Sequence, residues 1–120
     1  MGNILYKKLD NKNKDEIEMS KDLIIEYIKW LNMDLTFQNI EDELNDFPLK
    51  YNEPDGSFII AKENSIVIGC VGLKFLDKNI CEMKRLFVND KYKNKGIGKK
   101  LVEKIIEEAK NKNYNGERMP

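Results

Sequence analysis

Residues 91–100 read Lys91-Tyr92-Lys93-Asn94-Lys95-Gly96-Ile97-Gly98-Lys99-Lys100, five lysines without an acid around a Gly-x-Gly. An apolar-periodic run follows at once, so the glycines sit at a helix entry. Such an entry aims several backbone N–H groups and the positive end of the helix dipole at one spot. Gly96 and Gly98 allow close backbone approach and a positive φ, and the lysines add mobile cations. The chemistry on offer is a phosphate or pyrophosphate cradle. A plainer alternative stands beside it: a tight helix entry solvated by lysines, since a glycine doublet alone is a weak signal. Two familiar nucleotide loops do not fit. Two lysines follow Gly98 where a P-loop has Lys and then Ser or Thr, and Leu101 stands where a dinucleotide fingerprint has its third glycine.

Other reactive residues are few. The chain has no histidine, which excludes Ser-His-Asp and Cys-His catalysis as normally built. Its two cysteines, Cys70 and Cys81, fall inside apolar runs, the pattern of buried thiols in a reducing compartment and not of a disulfide framework. No metal site is expected, because zinc would have to be held by two cysteines and carboxylates. Lys plus Arg and Asp plus Glu number 21 each, a balance that predicts neither a nucleic-acid nor a membrane partner. The charge is nonetheless polarised along the chain, with eleven acids against four lysines in residues 10–46. No stretch has the length of a membrane span or the pattern of a signal peptide, so the cytoplasm is the expected location.

The elements that must position these residues can be read from periodicity. A length of 120 residues suits one domain over 1–120. Ile4–Leu9 reads as a first strand. Leu23, Ile24, Tyr27, Ile28 and Leu31 give a helix over about 16–32, with its acids expected on the outer side. Residues 36–47 read as a shorter, acid-rich helix ended by Pro48. The turn signature Glu53-Pro54-Asp55-Gly56 introduces strands over 57–62, 66–76 and 80–88, joined by short polar turns as an antiparallel meander. Ile97, Leu101, Val102, Ile105, Ile106 and Ala109 predict a core-facing helix to about Lys112. Strand, two helices, three strands, helix: the class is α+β.

Glu82-Met83-Lys84-Arg85-Leu86-Phe87-Val88 followed by Tyr92–Leu101 resembles the central motif of the GNAT-type N-acetyltransferase superfamily, Arg/Gln-x-x-Gly-x-Gly/Ala, between that family's fourth strand and third helix. The stretches Phe47–Tyr51, Pro54–Gly56 and Gly69–Val71 are also similar to one bacterial branch, and the resemblance covers roughly residues 20–114. It implies a mixed, mostly antiparallel sheet and a pyrophosphate site for acetyl-CoA built by Lys93, Asn94, Lys95, Gly96, Ile97, Gly98 and Lys99. Lys93 departs from the motif's Arg or Gln; it keeps the charge and loses the planar fork, so a weakened contact is expected. The backbone of Leu86, Phe87 and Val88 is expected along the pantetheine arm, where an N–H can polarise the thioester carbonyl.

The resemblance implies acetyl transfer from acetyl-CoA to a small or peptidic amine. Glu82 is the candidate general base, standing where one branch of the family carries it; its alternative role is a strand carboxylate paired with Lys84, Arg85 or solvent. The acids of 34–46 either attract a cationic acceptor or form a solvated face. Cys81 as acyl carrier has no histidine to activate it. The family continues with a fifth strand, a fourth helix and two closing strands, for which Asn115–Pro120 leave no room, and Tyr114 comes too early for the family's tyrosine acid. A sheet edge left open invites pairing, hence the expectation of a homodimer or larger assembly. The competing expectation is a catalytically silent CoA-binding module.

Overall fold

The structure, a computed structural model, describes residues 3–31, 47, 51, 56–77, 80–112 and 116–118. The expected helix over 36–47 lies outside these except for Phe47, as does most of the turn at 53–56. The described elements are β1 (Ile4–Lys8), α1 (Lys14–Leu31), β2 (Ser57–Glu63), β3 (Ile66–Asp77), β4 (Ile80–Val88), α2 (Ile97–Asn111) and β5 (Gly116–Arg118). The strands form one sheet in the order β1-β2-β3-β4-β5. Neighbours from β1 to β4 are antiparallel, as the alternating runs predict. No helix among the described residues is long and apolar enough to cross a membrane.

Each face of the sheet carries a helix, and alternation within a strand decides which. Phe58 and Ile60 of β2 pack with Leu23, Ile24 and Ile28 of α1; Ile59 and Ala61 pack with Ile97, Leu101, Ile105 and Ala109 of α2. The period of two along the strand thus divides one sequence between two cores. Cys70 and Cys81 are both fully buried and form no disulfide, Cys81 within the α2-side core, which fits a packing role.

Two details depart from the sequence reading. Gly116–Arg118 forms a short β5, parallel to β4 with Ile80 opposite Gly116 and Glu82 opposite Arg118. The sequence expectation had no strand there, because three residues carry no detectable alternation; the strand exists through its pairing with β4. The second departure is Glu16, expected on the outer side of α1 with the other acids. It is only 1% exposed. Lys7 Nζ lies 2.7 Å from its carboxylate and Lys62 Nζ 2.9 Å, and the Asp10 N–H donates to it at 3.2 Å. Glu16 is also the third residue after Asn13, whose side-chain oxygen accepts from the Glu16 N–H at 3.1 Å. The Asn13 side chain thus caps the start of α1, and the Glu16 carboxylate, with the Asp10 N–H and the two lysines from β1 and β2 around it, anchors that start to the sheet.

Candidate cofactor cleft and strand edge

β4 positions the site through an irregularity. Between the pairs Cys70↔Phe87 and Gly72↔Lys84, β3 has one residue and β4 has two, Arg85 and Leu86. Arg85 takes a φ of 59°, a left-handed conformation that costs a non-glycine residue about 1–2 kcal/mol. Its carbonyl accepts a hydrogen bond from the Cys70 thiol at 3.3 Å. The bulge has a directional consequence. In a regular strand Met83 and Phe87 would share a face, yet Met83 packs in the α2-side core and Phe87 in the α1-side core. The extra residue removes Arg85 from the α2 core and sets its guanidinium 5.7 Å from the Tyr27 ring centre on α1. Re-aiming side chains in this way is a common use of bulges beside functional sites.

Past the bulge, Leu86 to Val88 lead into a turn fastened by Asn89. The Asn89 N–H donates to the Ile68 carbonyl at 2.8 Å, its side-chain oxygen accepts from the Lys91 N–H at 3.0 Å, and its side-chain amide donates to Glu26 at 3.3 Å. Asp90–Tyr92 forms a single 3-10 turn. The following loop uses two left-handed residues, Asn94 at φ 65° and Gly96 at φ 80°. A Cβ at Gly96 would meet nothing within 4 Å, so conformation, and not crowding by the protein, requires glycine here.

Gly96 is the N-cap of α2 and offers no side-chain cap. The first helical bond runs from the Lys100 N–H to the Gly96 carbonyl. The N–H groups of Ile97, Gly98 and Lys99 are therefore the helix-start donors that have no intrahelical acceptor. A Cβ at Gly98 would stand 3.8 Å from Val88, an ordinary contact, so the helix start packs beside β4 without requiring glycine at this position.

Strand end, loop and helix start enclose a cavity of about 390 Å³ lined by Leu86, Phe87, Val88, Tyr92, Lys93, Asn94, Gly96, Ile97, Gly98 and Lys99. Every residue expected to bind cofactor is brought to it except Lys95, whose ammonium lies 5.5 Å from the Tyr92 ring centre. Lys93 is held by Asp90 at 2.8 Å and stands 5.3 Å from the Phe87 ring centre. Tyr92 is a lining residue that the sequence reading quoted but did not assign. Uncapped donors, open space beside Gly96 and surrounding ammonium groups make a cavity whose residues suit a pyrophosphate.

Glu82 lies on β4 on the Ile80 side of the bulge, away from the cavity. Its carboxylate is 3.7 Å from Lys84 Nζ, with the two side chains 23% and 29% exposed, so the alternative pairing foreseen for it is present. β5 reaches β4 only from Ile80 to Glu82. Among the described residues, no strand pairs with β4 from Met83 to Val88 on its β5 side.

Comparison with known proteins places this arrangement. Residues 24–119 match the model of the acetyltransferase (GNAT) family. An uncharacterized N-acetyltransferase of Dictyostelium discoideum is 30% identical over 162 aligned positions, covering 84% of this chain and 75% of that protein. The crystal structure of a GNAT-family acetyltransferase from Staphylococcus aureus Mu50 superposes with a TM-score of 0.83 at 28% identity, over 98% of this chain and 72% of the other. That of the PaiA N-acetyltransferase from Thermoplasma acidophilum, in complex with coenzyme A, gives 0.70 at 25% identity over 92% and 74%.

Proposed function

The chain belongs to the GNAT acetyltransferase family, and from that premise we propose that it binds acetyl-CoA in the β4–α2 cleft and transfers the acetyl group to a primary amine. The observation that carries this reading is the uncapped α2 N-terminus facing a cavity at the end of β4. The Ile97, Gly98 and Lys99 N–H groups, with the ammonium groups of Lys93 and Lys99, would hold the pyrophosphate, largely through backbone donors. The β4 backbone from Leu86 to Val88 would align the pantetheine amides and direct one N–H at the carbonyl. A solved relative in complex with coenzyme A supports the choice of cofactor.

Acetyl-CoA supplies the activated acyl thioester. The chain must supply a neutral amine, and at a pKa of ~10.4 only a few in ten thousand are neutral at pH 7. Glu82 would take the amine's proton, directly or through water. A CoA-binding module without turnover is the second reading, favoured by the Glu82–Lys84 ion pair. Among the described residues no strand pairs with β4 beyond Glu82 on the β5 side, and a second copy of the chain pairing there would compete with the pantetheine arm.

Calorimetric titration with acetyl-CoA, followed by thiol release with pooled amines, separates these readings. Binding with amine-dependent thiol release is the expected result. Binding without release assigns the silent module, and no binding refutes both.

A further inference from the structure

A hydrogen bond outside the glycine motif ties the loop to the sheet. Glu63 ends β2 at the tight turn into β3, where it pairs with Ile4 on one side and Ile66 on the other. Its carboxylate accepts a hydrogen bond from the Tyr92 hydroxyl at 2.8 Å. The Tyr92 ring packs against the α2-side core, lines the cavity and has the Lys95 ammonium over it. Only Lys93, Asn94 and Lys95 separate Tyr92 from Gly96. Two fixed points therefore bound the loop: the start of α2 on one side, and Tyr92 on the other.

We propose that Tyr92 is a positioning residue for the cofactor cradle, its hydroxyl latched to Glu63 so that the 93–96 loop delivers the Ile97, Gly98 and Lys99 N–H groups to where a pyrophosphate needs them. The inference rests on the acetyl-CoA reading given above. Two features support it. Asn94 and Gly96 both sit at positive φ, so the loop's course is a demanding one that its ends must hold. The Tyr92 hydroxyl, a neutral phenol, donates to the Glu63 carboxylate at 2.8 Å, and that hydrogen bond, then burial, then the Glu63 charge hold its pKa above the ordinary value.

The test is a set of CoA dissociation constants measured by calorimetry, each variant also checked for an unchanged melting temperature. Tyr92→Phe keeps the ring and removes the latch, and should weaken CoA binding about tenfold. Glu63→Ala should do the same from the other side. Glu63→Gln retains an acceptor oxygen and should restore binding to the parent's level or better, which a general loss of packing would not. The double variant Tyr92→Phe/Glu63→Ala should bind no worse than either single one, because both remove the same contact. Parental affinity in Tyr92→Phe, or multiplicative losses in the double variant, would overturn the latch. If the parent binds CoA and Gly96→Asp does not, such a result removes the latch alone. If the parent does not bind CoA, the acetyl-CoA reading and the latch fall together.

Discussion

Replacing Gly96 by Ala, Asn and Asp separates conformation from charge in the cradle. At φ 80° an alanine is strained by about 1–2 kcal/mol, roughly 4–8 °C in Tm for a domain of this size. Asn and Asp tolerate the left-handed region better than Ala, so both should cost less than Ala in stability and resemble each other. Nothing in the protein beyond the chain neighbours lies within 4 Å of a Cβ at this position, so neither substitution is crowded out, and any capping of the helix-start N–H groups is open to Asn and Asp alike. Asn and Asp are nearly the same size and differ by one negative charge. At ~5 Å from a phosphate charge and an effective dielectric of ~20, the repulsion is about 3 kcal/mol, or roughly a hundredfold in Kd. Calorimetry with acetyl-CoA should rank affinity parent, Asn, Asp, with the Asn–Asp gap near that hundredfold and narrowing as salt is added. Equal affinities for Asn and Asp would show that no phosphate sits beside residue 96.

Two further substitutions probe the base and the anchor. Glu82→Gln should lower turnover at neutral pH with CoA affinity nearly unchanged, and the loss should shrink as pH nears the pKa of the acceptor amine; an unaltered pH–rate profile removes Glu82 from the mechanism. Glu16→Ala strips two lysines of a buried partner and should cost about 3 kcal/mol or more in urea unfolding, a loss under 1 kcal/mol contradicting the anchor. Burial alone would raise the Glu16 pKa, but hydrogen bonds from Lys7, Lys62 and the Asp10 N–H outweigh it and hold the carboxyl below its ordinary value. Its contribution is thus complete above the unfolded carboxylate pKa and disappears as pH falls through the lower folded one. Glu16→Gln should flatten the decline in stability over that acid window, and an unchanged slope would contradict the assignment.

The loop and helix start that line the cavity were legible because their signal is local. Glycines, lysines and the apolar period of α2 lie within twenty residues, and strand pairing then brings the end of β4 beside them. The Arg85 bulge was not legible, since Met83, Leu86, Phe87 and Val88 read as strand with or without an extra residue; only the division of Met83 and Phe87 between two cores reveals it. Glu16 was misplaced for a related reason. Helical periodicity puts an acid outside, whereas its burial depends on Lys62, a partner 46 residues away. The Tyr92–Glu63 latch joins residues 29 apart, and no local pattern marks either as a partner of the other. Short-range order gave the elements and the loop; the contacts that tune them are long-range.

The central claim is that the β4–α2 loop receives the pyrophosphate of acetyl-CoA. Titrating the isotopically labelled protein with CoA while following backbone amide resonances tests it residue by residue. The predicted result is that the largest shifts fall on the amides of Lys93 to Lys99, with Gly96, Ile97 and Gly98 foremost and a second set at Leu86 to Val88. Shifts concentrated elsewhere, for instance around the cleft of Asp22, Glu26 and Asn89, with the loop amides unmoved, would contradict it.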